Sequence, residues 1–169
     1  MLRFRRVLSS KETMKFQVIW VGSTSNAEFG EAAEKYLGRI ERFFPVQVTE
    51  VAAEKSRRNK RDDAIIHAES ARLVAAIPPQ GTTVVLDERG RLQDSLRFAK
   101  WLERQTIHNP HGVHFVLGGD LGLDDAIRER GDMLLALSPM TLPHELARVV
   151  LLEQMYRACT LMRNVTYHK

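Results

Sequence analysis

The sequence predicts one α/β domain: a mostly parallel sheet with helices on both faces. Two observations carry this expectation. Short apolar runs alternate with stretches of helical period, which is the signature of strands joined by crossover helices. Most of the runs are continuously apolar rather than alternating, as strands covered on both faces must be. With 169 residues, the chain has enough length for one such domain and too little for two.

The elements follow in order. Phe16-Gln17-Val18-Ile19-Trp20-Val21 reads as a buried strand, ended by the loop Gly22-Ser23-Thr24-Ser25-Asn26. Phe29, Ala33, Tyr36, Leu37, Ile40 and Phe44 recur at helical spacing until Pro45 stops the pattern. Residues 46–51 alternate with period two, a second strand. Asp62 and Asp63 put acid at the positive end of a helix that Ile66, Leu73 and Ile77 continue to Pro78-Pro79. Residues 82–86 make the third strand, from which Asp87-Glu88-Arg89-Gly90 is expected to turn away. The helix after it carries Leu92, Leu96, Ala99 and Leu102 on one face. Residues 113–117 are the fourth strand, followed at once by Gly118-Gly119-Asp120-Leu121-Gly122. A short helix near 124–130 precedes a fifth strand at 133–137. The loop Ser138-Pro139-Met140-Thr141-Leu142-Pro143 then feeds a last helix over 144–162 and a tail, 163–169.

Composition narrows the class. Apolar residues at 44% and charged residues at 27% are ordinary for a soluble protein, and no apolar run approaches a membrane span. A net charge of +4 leans mildly toward polyanionic partners. The single cysteine, Cys159, has no internal disulfide partner, which fits a reducing, cytoplasmic setting. Residues 1–13 are basic and contain serine but lack the apolar core of a secretory signal. They read as a disordered extension or the product of an upstream start, so the domain is expected over 14–169. The last helix carries Leu146, Val149, Val150, Leu152, Met155, Tyr156, Cys159 and Met162 over more than one stripe. A helix apolar over so much of its circumference needs cover on several sides, and a homodimer would supply it.

Four features point to chemistry. Glycines at 118, 119 and 122 leave a strand end, where the backbone can approach a ligand or take positive φ. The pattern is not Gly-x-Gly-x-x-Gly, and Asp120 has the wrong charge beside a pyrophosphate. The 138–143 loop is stiffened by two prolines, so its backbone polar groups stay fixed and can read an adenine edge. Lys55, Arg57, Arg58, Lys60 and Arg61 put five basic residues within seven positions, suited to neutralising phosphates. The chain closes on Tyr167-His168-Lys169, which could act on a proton if the tail docks over a pocket. His108, His111 and His114 sit around Asn109-Pro110 and Gly112 without helping carboxylates or cysteines, so no metal is expected.

Taken as an ordered set, these segments resemble the ribosomal RNA large subunit methyltransferase H family, within the knotted SPOUT class. The resemblance rests on residues 16–22, on Val84-Val85-Leu86-Asp87 with Gly90, and on Phe115-Val116-Leu117-Gly118-Gly119 with Gly122. It continues through Leu137-Ser138, Thr141-Leu142-Pro143-His144, Arg148, Tyr156-Arg157-Ala158 and Tyr167-His168. It implies a small homodimer with a C-terminal trefoil knot. It implies methyl transfer from S-adenosylmethionine to N3 of a pseudouridine in the large-subunit RNA hairpin facing the decoding centre. The substrate would be ribosomal RNA or the assembled ribosome. The cofactor would touch Leu86, Gly118, Gly119, Leu137, Ser138, Met140, Thr141, Leu142 and Pro143. Arg148, Tyr156, Arg157, Tyr167 and His168 would serve the RNA and catalytic side, with His168 or Tyr167 assisting deprotonation and Arg148 or Arg157 stabilising negative charge. Asp120 departs from the family's usual proline or small residue, and the Tyr-His-Lys ending is also atypical. Two rival readings are a tRNA-directed enzyme of the same class and a non-catalytic RNA-binding module.

Overall fold

The computed structural model of the protein describes residues 14–54 and 61–167. Among them five strands, β1 (Phe16–Val21), β2 (Val46–Val51), β3 (Thr82–Leu92), β4 (Val113–Leu117) and β5 (Met133–Ala136), form one sheet in the order β2-β1-β4-β3-β5. Every strand pair is parallel. Five helices connect them or follow: α1 (Ala27–Ile40), α2 (Asp62–Ala76), α3 (Ser95–His108), α4 (Asp125–Arg130) and α5 (His144–Met162).

Side chains of successive strand residues point to opposite faces, so a continuous apolar run feeds two cores at once. Phe16, Val18 and Trp20 of β1 join Val84, Phe115 and Leu117 in a layer shared with α1, α3 and α5. Ile19, Val21, Val85 and Val116 face the other way, onto Leu73 and Ile77 at the end of α2 and Leu123 and Ile127 around α4. Caps fix where helices begin. The side chains of Asn26, Asp94 and Asp124 accept from the backbone N–H of Phe29, Arg97 and Ile127, satisfying donors that a helix start would otherwise leave open.

Two expectations need correction. β3 does not end at Leu86. Its pairing with β5 is interrupted and resumes, Leu86 and Arg91 both lying opposite Leu135, so residues 87–90 form a bulge inside one strand rather than a turn out of it. Gly90 makes this possible. A Cβ there would lie 2.6 Å from the backbone nitrogen and carbonyl carbon of Leu135, closer than any side chain can come. Leu92 accordingly belongs to β3, not to α3, and both Leu92 and Leu96 are exposed, while α3 buries Phe98, Ala99 and Leu102.

α5 lies between α1 and α3 on the sheet. These neighbours bury Leu151, Leu152, Met155, Ala158 and Cys159, so a single chain supplies most of the cover its apolar circumference demands. Val149, Tyr156 and Met162 stay only partly buried. Burial pushes the Cys159 thiol up to about 12, which keeps it a packed, protonated group.

Candidate functional site

Beside the bulge of β3 and beyond the carboxyl ends of β4 and β5 lies a cavity of about 770 Å³, a volume suited to a nucleotide-sized ligand. Its position follows the rule for parallel sheets, whose helices and connecting loops leave a crevice at that edge. Leu86 enters from β3, and Gly118 and Gly119 follow directly on β4. The β5–α5 connection supplies Leu137, Ser138, Met140, Thr141, Leu142 and Pro143. The structure therefore gathers around one space all nine residues that the sequence suggested for a cofactor.

Each wall has a local cause. After β4 the chain folds back on itself, the N–H of Gly122 donating to the Gly119 carbonyl at 3.1 Å, with Gly122 at φ +87°. A Cβ on Gly118 would stand 2.8 Å from the Gly122 oxygen and 2.9 Å from a Leu123 methyl. The missing side chain at 118 thus makes room for the protein's own turn. In the opposite wall the Ser138 hydroxyl accepts from the Met140 N–H at 2.9 Å, and the Pro143 carbonyl begins α5 by accepting from Ala147 at 2.9 Å. Met140 stands at the rim, 77% exposed.

The bulge in β3 brings charge to the cavity. Asp87 accepts from the Arg128 Nε at 2.7 Å and from the Arg89 N–H at 2.9 Å, and its side chain is only 5% exposed. Arg128 also reaches Asp125 at 2.8 Å. Sequence reasoning passed over this pair, although an acidic residue directly after the apolar run Val84-Val85-Leu86 was a usable signal. Asp120 and His144 form a second pair on the cavity wall, Oδ1 to Nδ1 at 2.5 Å.

Of the described residues suggested for catalysis, Arg148 stands apart from Tyr156, Arg157 and Tyr167, and none of the four lines the cavity. Arg148 is completely buried outside the cavity lining, donating to Thr24 Oγ1 at 2.9 Å and to the Val21 carbonyl at 2.5 Å, with its guanidinium 5.0 Å from the Trp20 ring. One turn earlier, Glu145 accepts from the Ser25 N–H and hydroxyl at 2.6 and 2.8 Å and from the Asn26 N–H at 3.1 Å. Those hydrogen bonds from Ser25, backbone first, hold its carboxyl down at about 2.

Tyr156, Arg157 and Tyr167 form a separate cluster. The Tyr156 and Tyr167 rings meet edge to face at 4.6 Å, the Arg157 Nε donates to Glu153 at 3.0 Å, and the Arg157 guanidinium lies 5.0 Å from the Tyr167 ring. Tyr156 is nine residues beyond Ala147 of the cavity wall, roughly 13 Å along the helix. Burial, then a hydrogen bond with Tyr36, pushes the Tyr167 phenol up to about 12. It holds its proton through neutral pH and in this setting is a donor rather than a base. His168, Lys55, Arg57, Arg58 and Lys60 lie outside the described residues. Arg61 is exposed and pairs with Asp63 at 2.9 Å. Among the described residues no group of three or more metal-ligating side chains occurs, and no helix is long and apolar enough to cross a membrane.

Fold and cavity together define an α/β protein with a nucleotide-sized site at its strand ends. Known proteins sharpen this. The family model described as "Predicted SPOUT methyltransferase" matches residues 14–168. A protein of Gemmatimonas aurantiaca named ribosomal RNA large subunit methyltransferase H is 40% identical over 156 residues, covering 92% of this chain and all of that one. One of the same name from Desulfovibrio desulfuricans is 43% identical, covering 89% and 94%. A solved structure described as "Probable Methyltransferase from Bordetella pertussis Tohama I" superposes with a TM-score of 0.57 at 16% identity, covering 86% of this chain and 96% of that one. The chain belongs to the SPOUT methyltransferases and, within them, to the ribosomal RNA large subunit methyltransferase H family.

Proposed function

We infer that the protein transfers a methyl group from S-adenosylmethionine to large-subunit ribosomal RNA, at N3 of a pseudouridine. The observation that carries this is the single cavity shared by the β4 glycine turn and the 138–143 loop in a chain of this family. The names of its relatives support ribosomal rather than transfer RNA as the substrate.

The lining suits the cofactor. Leu86, Leu117, Leu135, Leu137 and Leu142 offer an apolar slot for an adenine ring, and Asp87 offers negative charge to a cationic methionine end. Fixed backbone groups of Gly118, Gly119, Ser138, Met140, Thr141 and Pro143 would orient it. When bound, the cofactor supplies an electrophilic methyl on sulfur, for in-line displacement without a metal. The protein's part is to hold the acceptor nitrogen at near-attack distance, roughly 3–3.5 Å, and to remove its proton.

The separation of the Tyr156, Arg157 and Tyr167 cluster from the cavity supports action as a homodimer, in which a second copy brings its tail, His168 included, to the cavity of the first. The part-buried Val149, Tyr156 and Met162 of α5 support a contact there. On the same reading the C-terminal segment is knotted, Lys55, Arg57, Arg58, Lys60 and Arg61 engage RNA phosphates, and the protein works in the cytoplasm. Arg148 acts by fixing α5 to β1 rather than by touching RNA.

The test is calorimetric titration with S-adenosylmethionine, followed by labelled-methyl transfer to ribosomal particles lacking the modification and to unmodified tRNA. Deleting residues 167–169 is expected to abolish transfer and spare cofactor binding. Methylation of tRNA alone would replace the substrate, and failure to bind the cofactor would remove the enzyme reading.

A further inference from the structure

The geometry points to the Asp120–His144 pair as the acid–base device of the cavity: His144 Nε2 removes the proton from the acceptor nitrogen, and Asp120 is the positioning residue that makes Nε2 available. This rests on the methyltransferase reading and deepens it. Four facts meet here. Both residues line the cavity. The Asp120 Oδ1 lies 2.5 Å from His144 Nδ1, an ion-pair contact whose negative charge disfavours a lone pair on Nδ1 and so favours the tautomer with hydrogen there. His144 Nε2 then carries a lone pair and has no hydrogen-bond partner among the described residues. Finally, His144 opens α5 directly after Pro143, which holds its backbone at the cavity wall.

Among the described residues lining the cavity, no second imidazole occurs. Glu145, next in the chain, is consumed by Ser25 and Asn26. Asp87 is tied to Arg128 across the cavity, where Glu88 and Arg89 are the remaining charged side chains. Tyr167 keeps its proton and lies in the cluster beyond the cavity lining. In the step itself the N–H bond of the acceptor breaks, its electron pair stays on nitrogen as the nucleophile, and the proton forms a bond to Nε2. The imidazolium then returns that proton to water.

The experiment combines ¹⁵N NMR of His144, calorimetry with S-adenosylmethionine, and single-turnover methyl transfer against pH, in the full chain. Wild type is expected to show the Nδ1–H tautomer, Asp120→Asn to lose that preference, and Asp120→Glu to restore it. His144→Gln is expected to slow transfer about 100-fold near pH 7, a typical general-base contribution. Its rate should then climb with hydroxide concentration while cofactor affinity stays as in wild type. A dominant Nε2–H tautomer in wild type overturns the proposal. So does loss of cofactor affinity in Asp120→Asn, which makes the carboxylate a ligand, or the hydroxide-dependent profile arising in His168→Gln rather than His144→Gln. The NMR measurement needs no substrate, so it judges the pair even if wild type fails to bind cofactor, a result that would sink the functional reading instead.

Discussion

The Arg148 guanidinium donates to the carbonyl of Val21 at 2.5 Å, joining α5 to the last residue of β1 across 127 positions of sequence. The link holds the first turns of α5 against the carboxyl end of β1. Burial penalises the charge, which Glu145 and the Trp20 ring partly offset. Arg148→Ala is therefore expected to cost roughly 3–5 kcal/mol of stability, measured by urea unfolding, since it strands the Val21 carbonyl and the Thr24 hydroxyl as well as leaving a void. A variant as stable as wild type that merely turns over more slowly would instead place this arginine in the chemistry.

Glu145 makes stability depend on pH. Its folded carboxyl sits at about 2, below the ordinary 4.5, so its contribution is complete above the unfolded value and disappears as pH falls from 4.5 toward 2. In thermal melts between pH 6 and 2, Glu145→Gln should be less stable than wild type at pH 6 and converge with it at the acid end. Parallel curves would contradict the assignment.

Gly118→Ala forces a methyl against a backbone oxygen that cannot swing aside, 2.8 Å from the new Cβ. The turn must shift, at roughly 1–3 kcal/mol, and the cavity wall shifts with it. We expect cofactor affinity, measured by calorimetry, to fall at least about tenfold, the equivalent of 1.4 kcal/mol. Undiminished affinity would mean that the ligand does not depend on this wall.

Reversing the charge of Lys55, Arg57, Arg58, Lys60 and Arg61 is expected to weaken RNA binding and flatten its salt dependence. Each lost phosphate contact lowers the log–log slope by about 0.7 for single strands and 0.9 for duplex. Filter binding from 50 to 200 mM salt measures it, and an unchanged slope returns this run to a solvated loop.

How much of this was legible beforehand depended on whether the cause was local. α5 was expected over 144–162 and runs from His144 to Met162, because Pro143 and the following apolar period specify both its start and its course. The residues around the cavity were legible for a similar reason: glycines and prolines at strand ends announce tight, stiff connections. β3 misled because Gly90 resembles a turn glycine until Leu135 is known to lie against it, a fact of sheet register rather than of local sequence. Leu96 fell at helical spacing yet is exposed, since periodicity marks a face without saying what covers it. Asp87 itself was visible at the end of an apolar run, but its pairing with Arg128, 41 positions on, and that of Asp120 with His144 were hidden for the same reason as Gly90. The separation of Arg148 from the Tyr156 and Tyr167 cluster likewise needed the helix to be seen in place.

Leu135 faces β3 on both sides of the bulge, so the ladder closes above and below residues 87–90 as long as position 90 stays glycine. A segment bracketed in this way can change length or charge while the strands flanking it keep their register. The rim of the cavity is thereby insulated from the sheet that carries it, and a change of side chain at 88 or 89 alters what the cavity meets there without reopening how the strands pair.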